Sequence, residues 1–233
     1  MARRRRFRPS RSQVAQTRTA LEEAREGREG SGAIDRVIRT IMAVGIDGAG
    51  PVRGARATAE RALRAEGGDV ERAVRRVVRT HTRGGAVGGV VTGVGGFTTM
   101  AVALPVNLLE FYVQATRMVA AIASLRGHDV DDPHVRTAVM LTLVGSDAND
   151  VLEKAGMATG TGRVASFALK RLPASSLMVV NKAIGFRLLR GVGERFLTRL
   201  GRGVPLIGGL LGGALDAVMM RRIAAHARKQ LPA

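Results

Sequence analysis

Glu110, Gln114 and Arg117 follow one another at spacings of four and three in a stretch otherwise almost devoid of polar groups. An acid, an amide and a guanidinium on one helical face could hold an ionic ligand or, inside a cavity, carry acid–base chemistry. Asn107 and Ser124 extend the same narrow stripe, with Ala121 filling the step between Arg117 and Ser124, while the remaining circumference is apolar. A helix that is apolar nearly all round is buried in protein or lipid, so the stripe is expected to face partner helices or an internal cavity. Buried charges there need partners, because an unpaired one costs several kcal/mol. Glu110 and Arg117 themselves sit two turns apart, roughly 10 Å along the axis, so Gln114 or another helix must mediate between them.

Two other clusters invite chemistry and read better as structure. Gly127-His-Asp-Val-Asp-Asp-Pro-His134 holds two histidines and three aspartates, donors that suit several divalent ions. Asp132 before Pro133 is the N-cap and first-turn pair of a helix, and Gly127 closes the helix before it, so no metal is expected. Gly160, Gly162 and Ala165 mimic a dinucleotide fingerprint, but that loop works only between a strand and a helix, and the preceding DVLEKAGM reads as a helix ending at Gly156. No G-x-x-x-x-G-K-[ST] loop, His-Glu-x-x-His or G-x-S-x-G element occurs, and cysteine is absent, which excludes disulfides and thiolate chemistry. Catalysis thus has little support, no residue is assigned a catalytic role, and no cofactor is expected.

The elements that carry these residues are helical. Ile34, Val37, Ile38, Ile41 and Met42 keep helical spacing, then Asp47-Gly-Ala-Gly-Pro51 breaks the chain, and Pro51 can open a next helix that Gly67-Gly68 ends. Asp69 is a good N-cap for a third helix with Val70, Ala73, Val74, Val77 and Val78 on one face and Arg72, Arg75, Arg76, Arg79 and Arg83 on the other. Gly84 to Leu109 follows without a charge and with seven glycines, and Pro105 is expected to open a helix running to about Leu125. A long basic helix from Asn181 includes Lys182, Arg187 and Arg190, and Pro205 is expected to start the last one. No stretch alternates as a strand does. The fold class is therefore all-α: one multi-helix bundle over residues 33–230 with a central Gly-rich apolar hairpin, after a disordered Arg-rich tail over residues 1–32.

Glycines four residues apart make a groove in which two helix backbones approach closely. Gly85, Gly89 and Gly93 have that spacing, as do Gly208 with Gly212 and Gly209 with Gly213, so the two segments are natural mates. The uncharged run is long enough to cross a bilayer, yet the next helix carries Glu110 and Arg117, each costing about 2.5–3.5 kcal/mol at a membrane centre. A buried or reversibly inserting hairpin is the preferred reading over an independent span.

Net charge is +18, from 33 arginines and 4 lysines against 19 acids. That draws the chain toward polyanions, either the anionic face of a membrane or nucleic acid. Seven arginines fall in the first eighteen residues with no acid among them, and Arg3, Arg4, Arg5, Arg6, Arg8 and Arg11 make a basic arm able to lie on phosphates. The paired arginines resemble an export signal, but the apolar run such a signal needs does not follow. With no tryptophan and seven aromatic residues, base-stacking platforms are disfavoured.

The order of motifs resembles the EcsC family of bacterial proteins over roughly residues 34–229. The match rests on the Gly-rich apolar stretch, Leu104-Pro105, Arg117 leading to LRGHDVDDP, and VPLIGGLLGGALD followed by RRIAAHARK. An acidic residue often precedes the family's Leu-Pro, where this chain has Ala103, and an aromatic often precedes the turn glycine, where it has Arg126. The resemblance implies a helical, membrane-associated bacterial protein, named after a gene at an ABC-transporter locus, and so a membrane protein complex as one partner. It carries over no catalytic residues. The leading expectation is a non-enzymatic accessory protein, cytoplasmic and peripherally membrane-associated, whose Arg72, Arg75, Arg76, Arg79, Arg83, Arg187 and Arg190 lie on anionic lipid. The alternative is a cytoplasmic protein using the same charge, and its tail, on nucleic-acid phosphates without reading sequence.

Overall fold

A computed structural model describes residues 7–27, 32–50, 52–93, 96–145, 148–154, 173–200 and 208–232, with side chains left out chiefly at 85–93, 96–104, 191–200 and 208–212. The described chain is helical apart from one two-stranded ribbon. Helices are α1 (Arg11–Arg25), α2 (Gly32–Met42), a π-helical turn (Ala43–Asp47), α3 (Ala55–Ala65), α4 (Val70–Gly93), α5 (Gly96–Leu125), α6 (Pro133–Val144), α7 (Ala148–Lys154), α8 (Ala174–Leu200) and α9 (Gly208–Gln230). Strands β1 (Gly48–Ala49) and β2 (Val52–Arg53) pair antiparallel, Gly48 opposite Arg53, and at two residues each they are too short to show alternation.

Helix α5 is the centre of the bundle. Val113, Ala115, Thr116 and the run Met118–Ala123 are wholly buried, and α1, α2, the π-turn, α3, α4, α6 and α9 all pack against it. The apolar circumference read from the sequence is thus covered by protein. Between Pro105 and Leu125 the helix is long and apolar enough to cross a membrane, and most of it is buried inside the bundle. The helix also starts earlier than its proline suggests: Pro105 lies inside α5, where it removes one backbone donor without ending the helix.

Local rules set several boundaries as expected. Asp69 Oδ1 accepts the Arg72 amide at 2.7 Å, and Asp132 Oδ1 accepts the His134 amide at 2.8 Å ahead of Pro133, so both helices are capped. Gly67 and Gly127 close α3 and α5 at positive φ, 62° and 80°, which glycine adopts without penalty. The second helix does not start at Pro51 but at Ala55, after the ribbon, and α8 begins at Ala174 rather than near Asn181. Pro205 lies outside the described residues, and α9 is described from Gly208.

The N-terminal boundary needs correction. Residues 11–25 form a helix, with a reciprocal capping box in which Ser10 Oγ accepts the Gln13 amide at 3.2 Å and Gln13 Oε1 accepts the Ser10 amide at 2.8 Å. Thr17, Ala20 and Ala24 are buried, Phe7 is nearly so, and the helix packs on α2, α5 and α8. The reason is small-residue packing. A stripe of Thr and Ala buries little apolar area per residue but lets a polar, Arg-rich helix lie close to the core, a pattern a hydrophobic period does not flag. Arg3 to Arg6 lie outside the described residues.

Candidate polyanion surface and the polar stripe of α5

Helix α4 presents the first candidate site. Ala73, Val74 and Val77 are buried, while Arg72, Arg75, Arg76, Arg79 and Arg83 are exposed. At 100° per residue, Arg72, Arg76, Arg79 and Arg83 form one ridge with Arg75 beside it. Its N-terminal end is partly neutralised. Arg72 Nε meets Asp69 at 2.9 Å and Arg76 Nη1 meets Glu66 at 2.8 Å. The Arg72 amide does most to hold the Asp69 carboxyl below its ordinary range; desolvation opposes it, and the Arg72 and Arg75 guanidinium charges add to the lowering. Arg79 and Arg83 make no ion pair with the described residues, so their charge is offered to solvent.

Helix α9 lies along α4, the most extensive helix pair of the structure. Arg126, at the end of α5, joins the first turn of α4 to the last turn of α9: Nη2 meets Glu71 at 3.0 Å and Nη1 donates to the Arg228 and Leu231 carbonyls at 2.7 and 2.6 Å. The two helices therefore run antiparallel. The sequence expects Gly85, Gly89, Gly93, Gly208, Gly209, Gly212 and Gly213 to pack two helices together. Of these only Gly213 has its surroundings described, and it is buried; the individual contacts of the others fall outside the described side chains. Arg221, Arg222 and Lys229 are exposed on α9.

Other singled-out residues go elsewhere. Arg187 is half-buried and pairs with Asp150 at 3.1 Å, so part of its charge is met within the fold. Arg190 is exposed and sits 5.9 Å from the Phe186 ring centroid. Arg8 and Arg11 are exposed. The aspartates of the 127–134 turn bind arginines: Arg56 meets Asp129 at 3.2 Å and Asp131 at 2.8 Å, while Arg136 forks onto Asp47 and approaches Asp131 at 3.6 Å. The Asp47 hydrogen bond, followed by attraction from Asp47 and Asp131, raises the Arg136 pKa despite desolvation. His128 Nε2 lies 2.8 Å from the Pro232 carbonyl. Gly160, Gly162 and Ala165 lie outside the described residues.

The stripe on α5 holds together. Asn107, Glu110, Gln114, Arg117 and Ser124 are half-buried, whereas Ala121 is wholly buried and interrupts it. Gln114 lies toward α4: a Cβ added to Gly84 would stand 3.0 Å from its Oε1. Arg117 lies toward the π-turn, with Nη2 3.4 Å from the Val44 carbonyl. Burial alone lowers its pKa to about 10, still far above neutrality, so the guanidinium stays charged.

Sequence reasoning missed two tight glycine contacts between helical elements. A Cβ at Gly185 would meet Ile38 Cγ1 at 2.6 Å and Ile34 Cγ2 at 2.9 Å, and one at Gly45 would meet Thr116 at 2.8 Å. Neither glycine belongs to a four-residue repeat, so no local signal marks them. Arg126 was read as a departure from a family pattern, and the structure makes it the tie between three helix ends.

No curated protein and no solved structure is significantly similar to the chain. The EcsC protein family model matches residues 64–231, beginning some way after the Ile34 expected from the motifs and taking in α4, α5, the Arg126 turn and α9. With well over half its length matched, the chain belongs to the EcsC protein family.

Proposed function

We propose that this is a non-enzymatic, peripherally membrane-associated accessory protein, cytoplasmic in location, that docks on anionic lipid through the α4 and α9 face. The observation that carries the reading is the exposed ridge of Arg72, Arg76, Arg79 and Arg83, in which Arg79 and Arg83 have no ion-pair partner among the described residues. Each arginine near an anionic bilayer contributes on the order of 1 kcal/mol, so a ridge of this size suffices for reversible recruitment. The Gly-rich ends of α4 and α9 add an uncharged segment beside the ridge that can partition toward the acyl region. A stable span through α5 is disfavoured, since Glu110 and Arg117 would have to enter hydrocarbon.

Flotation of the full chain with vesicles of phosphatidylcholine alone, and with added phosphatidylglycerol, tests this. Recruitment is expected only to the anionic vesicles, weakening with salt, and Arg79→Glu with Arg83→Glu should abolish most of it. The reading is lost if anionic vesicles recruit nothing at low salt. It is equally lost if the double reversal leaves lipid recruitment unchanged, or if random-sequence DNA is bound while vesicles are ignored, which would establish the nucleic-acid alternative.

A further inference from the structure

Arg117 shares with Arg228 a combination that the other covered arginines lack: it is half-buried and meets no carboxylate among the described residues. Arg126, Arg136 and Arg187, whose side chains are 9%, 23% and 28% exposed, each hold a carboxylate. Arg117 is covered too, yet among the described residues it holds none: its Nε is buried without a partner and its hydrogen bond to the Val44 carbonyl is long at 3.4 Å. A buried guanidinium without a counter-charge is a liability that folding alone gives no reason to keep.

Its surroundings suggest what the charge is for. Among the described side chains of α5, from Pro105 to Leu125, partial solvent access is confined to one face, where Asn107, Glu110, Gln114 and Arg117 follow one another, while the opposite face is buried. This face is flanked by the π-turn at Arg117 and by α4 at Gln114. At the Gln114 end α4 comes close, since a Cβ at Gly84 would stand 3.0 Å from Gln114 Oε1. The π-turn is an irregularity of the kind that recurs at functional sites.

We propose that this face is an anion site in which Arg117 takes a single phosphate or carboxylate group through its planar fork, with the Gln114 amide as a second donor. The site is separate from the α4 ridge and does not depend on vesicle docking. The group can arrive as a free oxyanion or as the headgroup of a lipid monomer.

The test uses the full chain without vesicles, following thermal unfolding and calorimetric binding with inorganic phosphate, octanoate and dioctanoyl phosphatidic acid below its micellar concentration, against chloride at matched ionic strength. At least one probe is expected to bind and raise the midpoint. Response to inorganic phosphate marks a free-anion site; response confined to the acyl probes marks a lipid monomer. Arg117→Met keeps the volume and removes the charge, so it should raise the probe-free midpoint while weakening binding on the order of tenfold or more, the worth of a charge-assisted hydrogen bond. Gln114→Leu should weaken the same probe several-fold, and Arg79→Glu with Arg83→Glu should leave it unchanged, which separates this site from the docking ridge. The proposal is overturned if no probe shifts the natural chain, or if binding survives both Arg117→Met and Gln114→Leu.

Discussion

Arg126 Nη1 donates to the Leu231 carbonyl at 2.6 Å, across 105 residues of sequence. The same nitrogen reaches the Arg228 carbonyl, and Nη2 reaches Glu71, so one buried guanidinium satisfies the last carbonyls of α9 while closing the α4–α9 pair. Helix C-termini leave carbonyls without intrahelical donors, and a cation there also meets the negative end of the helix dipole.

Arg126→Met should therefore destabilise the protein by about 2–4 kcal/mol, the range for losing a buried charged group whose partners are left unsatisfied. Glu71→Gln should cost under about 1 kcal/mol, because that carboxylate is 56% exposed and its ion pair is screened. Urea midpoints of the two variants measure the difference. Equal losses would place the stabilisation in the ion pair rather than in the carbonyl clamp.

Truncation separates the tail from the helix that follows it. Removing residues 1–6 should change stability by no more than about 0.5 kcal/mol, as for most surface changes. Removing residues 1–27 uncovers what Phe7, Ala20 and Ala24 bury and should cost at least about 2 kcal/mol, the scale of a buried phenylalanine. Thermal denaturation of both truncations checks this, and an unaltered midpoint for the longer one would mean that α1 adds nothing to the bundle.

Gly185→Ala should destabilise the α8–α2 contact. Alanine raises helix propensity by up to about 1 kcal/mol, but overpacking typically costs about 1–3 kcal/mol. With Ile38 Cγ1 only 2.6 Å from the new methyl position, the clash wins. Ile38→Ala makes room, so the double variant should be more stable than the sum of the two single losses, a coupling readable from a double-mutant cycle.

His226 gives an acid-sensitive contribution. Desolvation, and then the Lys229 charge, lower its pKa below the ordinary 6.5, so the unfolded chain binds a proton that the folded one resists. Stability supplied by this residue is complete above 6.5 and falls as pH drops from there through the lowered folded value. Melting curves at pH 7.5 and 5.5 should show a smaller acid-induced drop for His226→Gln than for the natural chain. A drop of the same size in both would leave His226 out of the acid response.

What was legible in the sequence is what short-range physics controls. The α2 period, the Asp69 and Asp132 caps, the closing Gly67 and Gly127, and the nearly uniform apolarity of α5 each follow from interactions within one or two turns. The Arg face of α4 was equally plain, because a helical period sorts charge from apolar residues without reference to any partner. Tertiary structure decided the rest. That α5 is covered by protein, that the α1 stripe of Thr and Ala docks, that Pro105 sits inside a helix, and that Arg126 clamps α9 all depend on surfaces supplied from elsewhere in the chain. Residues 105 or 147 positions apart, as in Arg126 with Leu231 or Gly185 with Ile38, share no local pattern, so only the packed bundle brings their chemistry together.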